Sequence, residues 1–271
     1  MASPAEVQVL PMSLAEHRPN GTPIVERQSK ILILDVERLP GTAYAWGPKT
    51  KYIPPRQFIE WPRLLCFAAR WYGHKTPIFE SEWRDRDQMI RRSWELYDEA
   101  DMVVTYYGSR ADNPWLRSEW IEAGFTPPKP HRDVDLYRVV GQFGFESKSL
   151  DSVTRRLGRE GKETHYSITD AVAASEGDRK AQARLRSYNI GDVELTEWLY
   201  DRLRGWISNH PHVGDFGDQI RCNQCGSDEL ELQPTRYKAV VIDYALYRCQ
   251  SCGGNVRGGW HSRIAATRGV K

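Results

Sequence analysis

The chain predicts an α/β domain, with helices on both faces of a mixed sheet, followed by a small metal-bound β-rich module. Three observations carry that expectation. Short apolar runs alternate with segments of helical periodicity through residues 31–206. The first run, Ile31-Leu32-Ile33-Leu34-Asp35-Val36-Glu37, ends in two carboxylates. Side chains alternate along a strand, so Asp35 and Glu37 point the same way, an arrangement that makes sense if a cation sits between them. Near the end of the chain, two Cys-x2-Cys pairs stand 23 residues apart.

A chain of 271 residues is long enough for one large domain and one small one. Hydrophobic residues make up 40%, including ten Trp and thirteen Tyr, enough for a substantial core. A net charge of +2 gives no global polyanion signature, but the charge is uneven. Residues 219–271 carry eight Lys/Arg against four Asp/Glu, and residues 1–218 carry thirty against thirty-two. A mildly acidic body with a basic tail is compatible with a metal-dependent site joined to a nucleic-acid contact. No apolar run reaches the roughly 18 residues of a membrane span. No basic segment followed by an apolar one opens the chain, so no secretory signal is expected. Paired cysteines point to metal and a reducing compartment, hence the cytoplasm, rather than to disulfides.

Residues 1–29 read as a loose lead-in. The first strand covers roughly 31–37, Pro40-Gly41 breaks it, and Thr42 to Trp46 reads as a returning strand. Four prolines make residues 47–62 mostly loop. Leu64 to Tyr72 reads as a buried strand with Cys66 as a core thiol. Asp85 to Ala100 has helical spacing, and 101–106 is a short strand. The turn 107–114 offers Asp112 or Asn113 as N-cap and Pro114 as the first helical residue of a helix over 115–123. Further helices are expected from Asp133 to about Gly141, over 149–157 with a serine cap, and, longest of all, from Asp178 to Trp206. Residues 158–178 read as surface loop with partial helix, and 210–217 as a boundary.

The long helix places Tyr188, Asp192, Leu195, Leu199 and Leu203 on one face, where a carboxylate interrupts an apolar stripe. Taken singly, Asp112 reads as a helix cap, Asp192 as a solvent-facing edge residue, and Asp35 and Glu37 as strand-end residues. Taken together they read as a cation site. Cys222, Cys225, Cys249 and Cys252 have the spacing of two knuckles, which form a closed tetrathiolate zinc site of structural type. Arg248, Arg257, Trp260, His261, Arg263 and Arg268 follow as a basic and aromatic tail suited to DNA, or less favourably to a protein partner. His261 is not needed as a zinc ligand. The expected units are thus 30–210, a zinc ribbon over 219–262 and a tail over 263–271.

Asp35-x-Glu37, then Asp112 after a strand and a Gly turn, then Tyr188-x3-Asp192 on a late helix, resembles the DEDD exonucleases of the ribonuclease H-like superfamily, in the subgroup whose third motif carries Tyr. It is most similar to the stand-alone members, common in bacteriophages, that end in a zinc ribbon. Leu64 to Gly73, Glu99-Ala100-Asp101, Val134-Asp135-Leu136 and Lys148-Ser149-Leu150 also carry the resemblance. It implies a mixed five-stranded sheet flanked by helices. It implies that Asp35, Glu37, Asp112 and Asp192 hold two Mg²⁺ or Mn²⁺ ions and that Tyr188 orients the attacking water. The implied reaction is metal-dependent 3′–5′ hydrolysis of nucleic acid, with single-stranded DNA or 3′ ends as substrate, nucleoside 5′-monophosphates as product, and replication or recombination proteins as further partners. Arg38 stands where relatives carry Thr, and Tyr106 to Ala111 replace the usual His-Asn-Gly and Phe of the second motif. Arg38, Tyr107 and Arg110 are candidates for contact with a strand by stacking and phosphate pairing. The competing expectations are a non-catalytic nucleic-acid-binding adaptor, or an endonuclease or resolvase on the same fold.

Overall fold

The nine-residue run Ile31–Leu39 forms β1, the centre of a mixed five-stranded sheet. The structure is a computed structural model, and it describes residues 27–160, 166–215, 219–239 and 242–263. The sheet order is β3 (Ile78–Ser81), β2 (Arg63–Trp71), β1, β4 (Met102–Thr105) and β5 (Arg132–Asp135). β1 is antiparallel to β2 and β2 to β3, whereas β4 and β5 run parallel to β1. Six helices accompany them among the described residues: α1 (Glu82–Glu99), α2 (Asp112–Glu122), α3 (Leu136–Val140), α4 (Leu150–Arg156), α5 (Ile168–Ser175) and α6 (Arg179–Leu203). The chain divides into two compact units, residues 30–210 and a second unit whose described residues are 27–29, 211–215, 219–239 and 242–263.

Period-two alternation gives β1 two different faces. Leu32, Leu34 and Val36 enter a core with Leu64, Phe67, Met89, Leu96, Tyr97, Leu116 and Trp120, which docks α1 and α2 on one side of the sheet. Asp35 and Glu37 project to the other side, toward α6. Ion pairs lock both layers. Arg63 grips Glu82 through Nε and Nη2, and Arg86 joins Glu82 to Glu119, whose other oxygen accepts from Leu64 N–H. On the α6 side, Arg70 Nη2 meets Glu197 at 2.6 Å, and both side chains are largely buried. Burial keeps such a pair from the solvent screening that weakens surface ion pairs.

Several elements differ from expectation. Thr42 to Trp46 is not a sheet strand. Only Thr42–Ala43 pairs, with Phe58–Glu60, outside the main sheet. Two sheet strands carry weak sequence signals. β3 is four residues long, and β5 (Arg-Asp-Val-Asp) is a polar edge strand in which only Val134 and Asp135 are buried. The helix expected from Asp133 therefore begins at Leu136, with Asp135 as its cap, accepting from Tyr137 N–H. α2 begins at Asp112 with Ala111 as N-cap, so neither Asp112 nor Asn113 caps it, and Pro114 sits inside the first turn, where its missing N–H costs little. Cys66 is fully buried in β2, as a core thiol.

In the second unit, β6 (Leu230–Ala239), β7 (Ile242–Cys249) and β8 (Asn255–Arg263) form an antiparallel sheet. Residues 1–26 of the expected lead-in, 216–218 of the boundary, and Ile264 to Lys271 of the tail, including Arg268, lie outside the described residues. The side chains of Trp260, His261 and Arg263 do as well. Among the described residues, no helix is long and apolar enough to cross a membrane.

Leu34→Ala empties a fully buried position between the sheet and its helices. It is expected to cost about 2–5 kcal/mol, seen as a lower denaturant midpoint. Ile121→Ala, at an exposed site, should stay within about 0.5 kcal/mol.

Candidate active site

β1 and α6 together build the site. Oxygens of Asp35, Glu37 and Asp192 lie within 4.8 Å of one another. They open on a cavity of about 580 Å³ that is also lined by Tyr106, Tyr107, Tyr137, Lys148, Ser149 and Tyr188. A set of hard carboxylate oxygens this close fits Mg²⁺ or Mn²⁺ in donor type, and the charge of a cation is what would reconcile three anions at such separations.

Asn189, absent from the sequence expectation, positions the first carboxylate. It is fully buried, and its Nδ2 donates to Asp35 Oδ2 at 2.6 Å and to the Asp35 carbonyl at 3.2 Å. Its Oδ1 lies 3.9 Å from Cys66 Sγ. Burial, then the nearby Glu37 and Asp35 charges, push the Cys66 thiol up, so it stays neutral beneath the acidic cluster. The available signal for Asn189 was its place in the Tyr188-x3-Asp192 turn.

Tyr188 lies one turn before Asp192. Burial, then the Asp192, Glu37 and Asp35 charges, push its hydroxyl well above the ordinary tyrosine range. It remains protonated and acts as a hydrogen-bond donor. Tyr166 packs 5.7 Å from the Tyr188 ring and donates from its hydroxyl to the Arg38 carbonyl.

Asp112 stands apart from the three converging carboxylates. It is buried, and its Oδ1 accepts from the N–H of Val36, the residue between Asp35 and Glu37. Burial pushes its carboxyl up to about 7, against the downward pull of the N–H groups of Asp112 and Val36, with Asp135 and Asp192 adding to the rise.

The altered second motif has its own support. Tyr107 adopts a left-handed backbone (φ 71°), and Gly108 packs so closely on Thr105 that a Cβ would lie 2.1 Å from its Oγ1. Asp135 holds this turn, accepting from Tyr107 N–H at 2.9 Å and Ser109 N–H at 3.1 Å. Tyr107 faces the cavity against the Tyr137 ring, and Arg110 is exposed on the same turn. Arg38 turns elsewhere, since its guanidinium lies over Trp115 at 4.7 Å and donates to the Pro62 carbonyl.

In the second unit, ligand atoms of Cys222, Cys225, Cys249 and Cys252 lie within 4.8 Å of one another, and the Cys222–Cys252 and Cys225–Cys249 sulfurs are 3.6 Å apart. A tetrahedron with Zn–S bonds of about 2.3 Å has edges of about 3.8 Å, so the cluster is compatible with a zinc site. Burial pushes the Cys222 thiol up and takes Cys252 to about 11, while at Cys249 burial is outweighed by the N–H groups of Cys252 and Ser251 and the thiol moves down. Arg257 lies over the Tyr244 ring at 4.5 Å, and Arg248 donates to Asn255.

Comparison with known proteins agrees with this architecture. A family profile described as RNase_H superfamily matches residues 66–204, half of the chain. The chain belongs to the RNase_H superfamily. The match covers Asp112, Tyr188 and Asp192 and begins after Asp35 and Glu37. Membership supports nuclease activity at the level of the superfamily. No curated protein matches the chain. Among solved structures, the fold is similar to the family B DNA polymerase from the hyperthermophilic archaeon Pyrobaculum calidifontis, with a TM-score of 0.50 and 19% identity. The similarity covers 66% of this chain and 26% of the polymerase.

Asn189→Ala frees the Asp35 carboxylate and should weaken Mn²⁺ affinity about 10–100-fold, measured by calorimetry without any substrate. Purified protein should carry one zinc per chain by elemental analysis, and Cys249→Ser should lose it and raise proteolysis within residues 219–263 while leaving 30–210 resistant.

Proposed function

We propose that the chain is a metal-dependent 3′–5′ exonuclease acting on single-stranded DNA or frayed 3′ ends and releasing nucleoside 5′-monophosphates. The observation that carries this reading is the convergence of Asp35, Glu37 and Asp192 beside the protonated Tyr188 at the wall of one cavity. Asp35, Glu37 and Asp192 would hold the divalent ions, with Asp112 behind them as the fourth carboxylate. When bound, such ions supply Lewis-acid chemistry, neutralising charge on a phosphodiester and making a water more acidic.

The protein's own groups do the rest. Asn189 fixes the rotamer of Asp35. Tyr188 is a donor at working pH, which suits it to orient a water or a phosphate oxygen rather than to remove a proton. Lys148 lines the same cavity and brings a positive charge for a phosphate. Tyr106, Tyr107 and Tyr137 present ring surfaces on which the terminal base can stack. The zinc ribbon would add a basic surface for the strand, and the reading places the protein with replication or recombination machinery in a reducing cytoplasm.

The test is digestion of matched single-stranded, duplex and RNA oligonucleotides, labelled at either end, with Mg²⁺ or Mn²⁺ and with EDTA. Ladder shortening from the 3′ end and an intact covalently closed circle are expected. Asp35→Asn and Asp192→Asn should each lose more than about 100-fold in rate, beyond what loss of a supporting partner costs. Tyr188→Phe should lose about 10²–10³-fold in kcat with little change in KM, as for removal of one transition-state donor. Equal rates for the parent and both Asp variants would overturn the assignment. Binding without digestion of any substrate would favour the adaptor reading instead.

A further inference from the structure

Between β1 and β2 the chain makes a 23-residue excursion, Pro40 to Pro62. Four of its five aromatic side chains are left in water. Trp46 is 98% exposed, Tyr44 and Tyr52 are each 72% exposed, and Trp61 is 60% exposed. A fold that buries Tyr97 and Tyr200 completely has the capacity to bury such rings, so four exposed ones on a single segment call for a ligand.

The segment is built as an arm. Its base is fastened by pairing of Thr42 with Glu60 and Ala43 with Phe58, by the Tyr44 N–H bond to the Gln57 carbonyl, and by stacking of Phe58 on Trp61 at 4.6 Å. Gly41 is required there, because a Cβ would meet the Glu60 carbonyl at 2.6 Å. Pro48, Pro54 and Pro55 stiffen the excursion between these anchors. Preorganised aromatic faces lose little entropy when a ring stacks on them.

Charge chooses the ligand. Lys49, Lys51 and Arg56 are exposed within the excursion, and Glu60 at its base is its one acidic residue. Lysine is depleted from protein interfaces, whereas rings interleaved with exposed lysines match the alternating bases and phosphates of a single strand. The arm also leaves β1 directly after Leu39, the second residue beyond Glu37, and returns in β2, whose Cys66 pairs opposite Glu37. It is thus rooted at the edge of the acidic cluster.

We propose that residues 40–62 form a stacking arm that binds single-stranded nucleic acid, holding the strand whose end enters the Asp35 site. The assignment of the strand's end rests on the nuclease reading; the binding surface does not.

The test uses the zinc-loaded full chain, dialysed free of Mg²⁺ and Mn²⁺ without chelator, with fluorescein-labelled single-stranded and duplex 20-mers, read by anisotropy. The double variant Trp46→Ala/Tyr52→Ala replaces two exposed residues and should bind the single strand at least tenfold more weakly, as loss of base stacking requires. Lys49→Ala/Lys51→Ala should reduce the slope of log K against log salt by about 1.4, or about 0.7 per phosphate contact. With Mn²⁺, the aromatic variant should raise KM for the 20-mer and leave dinucleotide hydrolysis unchanged. Unaltered single-strand affinity in both variants overturns the arm. So does sedimentation showing that the parent self-associates through Trp46 and Tyr52 while the strand binds equally to both forms. If the parent digests strands but the aromatic variant matches it in affinity and KM, the arm fails and the nuclease reading stands. If the parent binds through the arm yet hydrolyses nothing, the arm stands and the nuclease reading fails.

Discussion

Three carboxylates held within 4.8 Å of one another is the constraint that the larger unit must satisfy. Two like charges 4 Å apart repel by about 4 kcal/mol at an effective dielectric of 20. A frame that resists separation is needed to hold them together. The frame here is α6 clamped on the sheet at both ends of the site. Asn189 ties the helix to Asp35, and two turns further on Glu197 is held by Arg70 and by Gly73 N–H. Asp192 lies between these two anchors, so it cannot retreat without breaking one of them. The neutral Cys66 and protonated Tyr188 surround the cluster with groups that add no further charge.

The topology of β1 explains why Asp112 lies against β1 outside the cluster. β4 runs beside β1 only as far as the Ile33–Val104 pairing. Beyond it the chain leaves the sheet through the Tyr107 and Gly108 turn. The Val36 N–H lies past the end of that ladder and is met by the Asp112 carboxylate from the start of α2. A side chain thus completes a ladder where a strand has stopped, as buried backbone donors require. Asp135 does the corresponding work for the turn itself, and the strained left-handed Tyr107 persists because that carboxylate accepts its N–H.

Sequence periodicity reached the parts of this design that rest on local alternation. Asp35 and Glu37 share a face because they are two residues apart, and Tyr188 and Asp192 share one because they are four apart. What lay beyond reach was set by tertiary context. Arg132–Asp135 has the composition of a helix start, and only pairing with β4 makes it a strand. Asp112 looked like a cap because acidic residues favour helix starts, whereas its partner lies 76 residues away on β1. Asn189 is a polar residue in a helix full of polar residues, and its place in the Tyr188-x3-Asp192 turn does not reveal that its partner is Asp35, 154 residues away. The aromatic content of residues 40–62 was visible, but composition does not say which rings remain in water.

The second unit follows a different energetic logic. Its described buried apolar cluster consists of Cys222, Cys249 and Val256, edged by Cys225, Leu230, Tyr247 and Cys252. β6 buries none of its side chains fully. At about 25 cal/mol per Å², so small a core cannot offset the conformational entropy of ordering some forty residues, at roughly 1–2 kcal/mol each. Four of the seven residues in and around that cluster are cysteines, so the apolar centre and the thiolate cluster are the same place. A structural zinc contributes about 10–16 kcal/mol in comparable small modules, which makes metal the natural source of the missing stability. The two units would then rely on metals differently: hydrogen bonds and ion pairs of the protein frame the carboxylate site, whereas the ribbon would draw its stability from its ion.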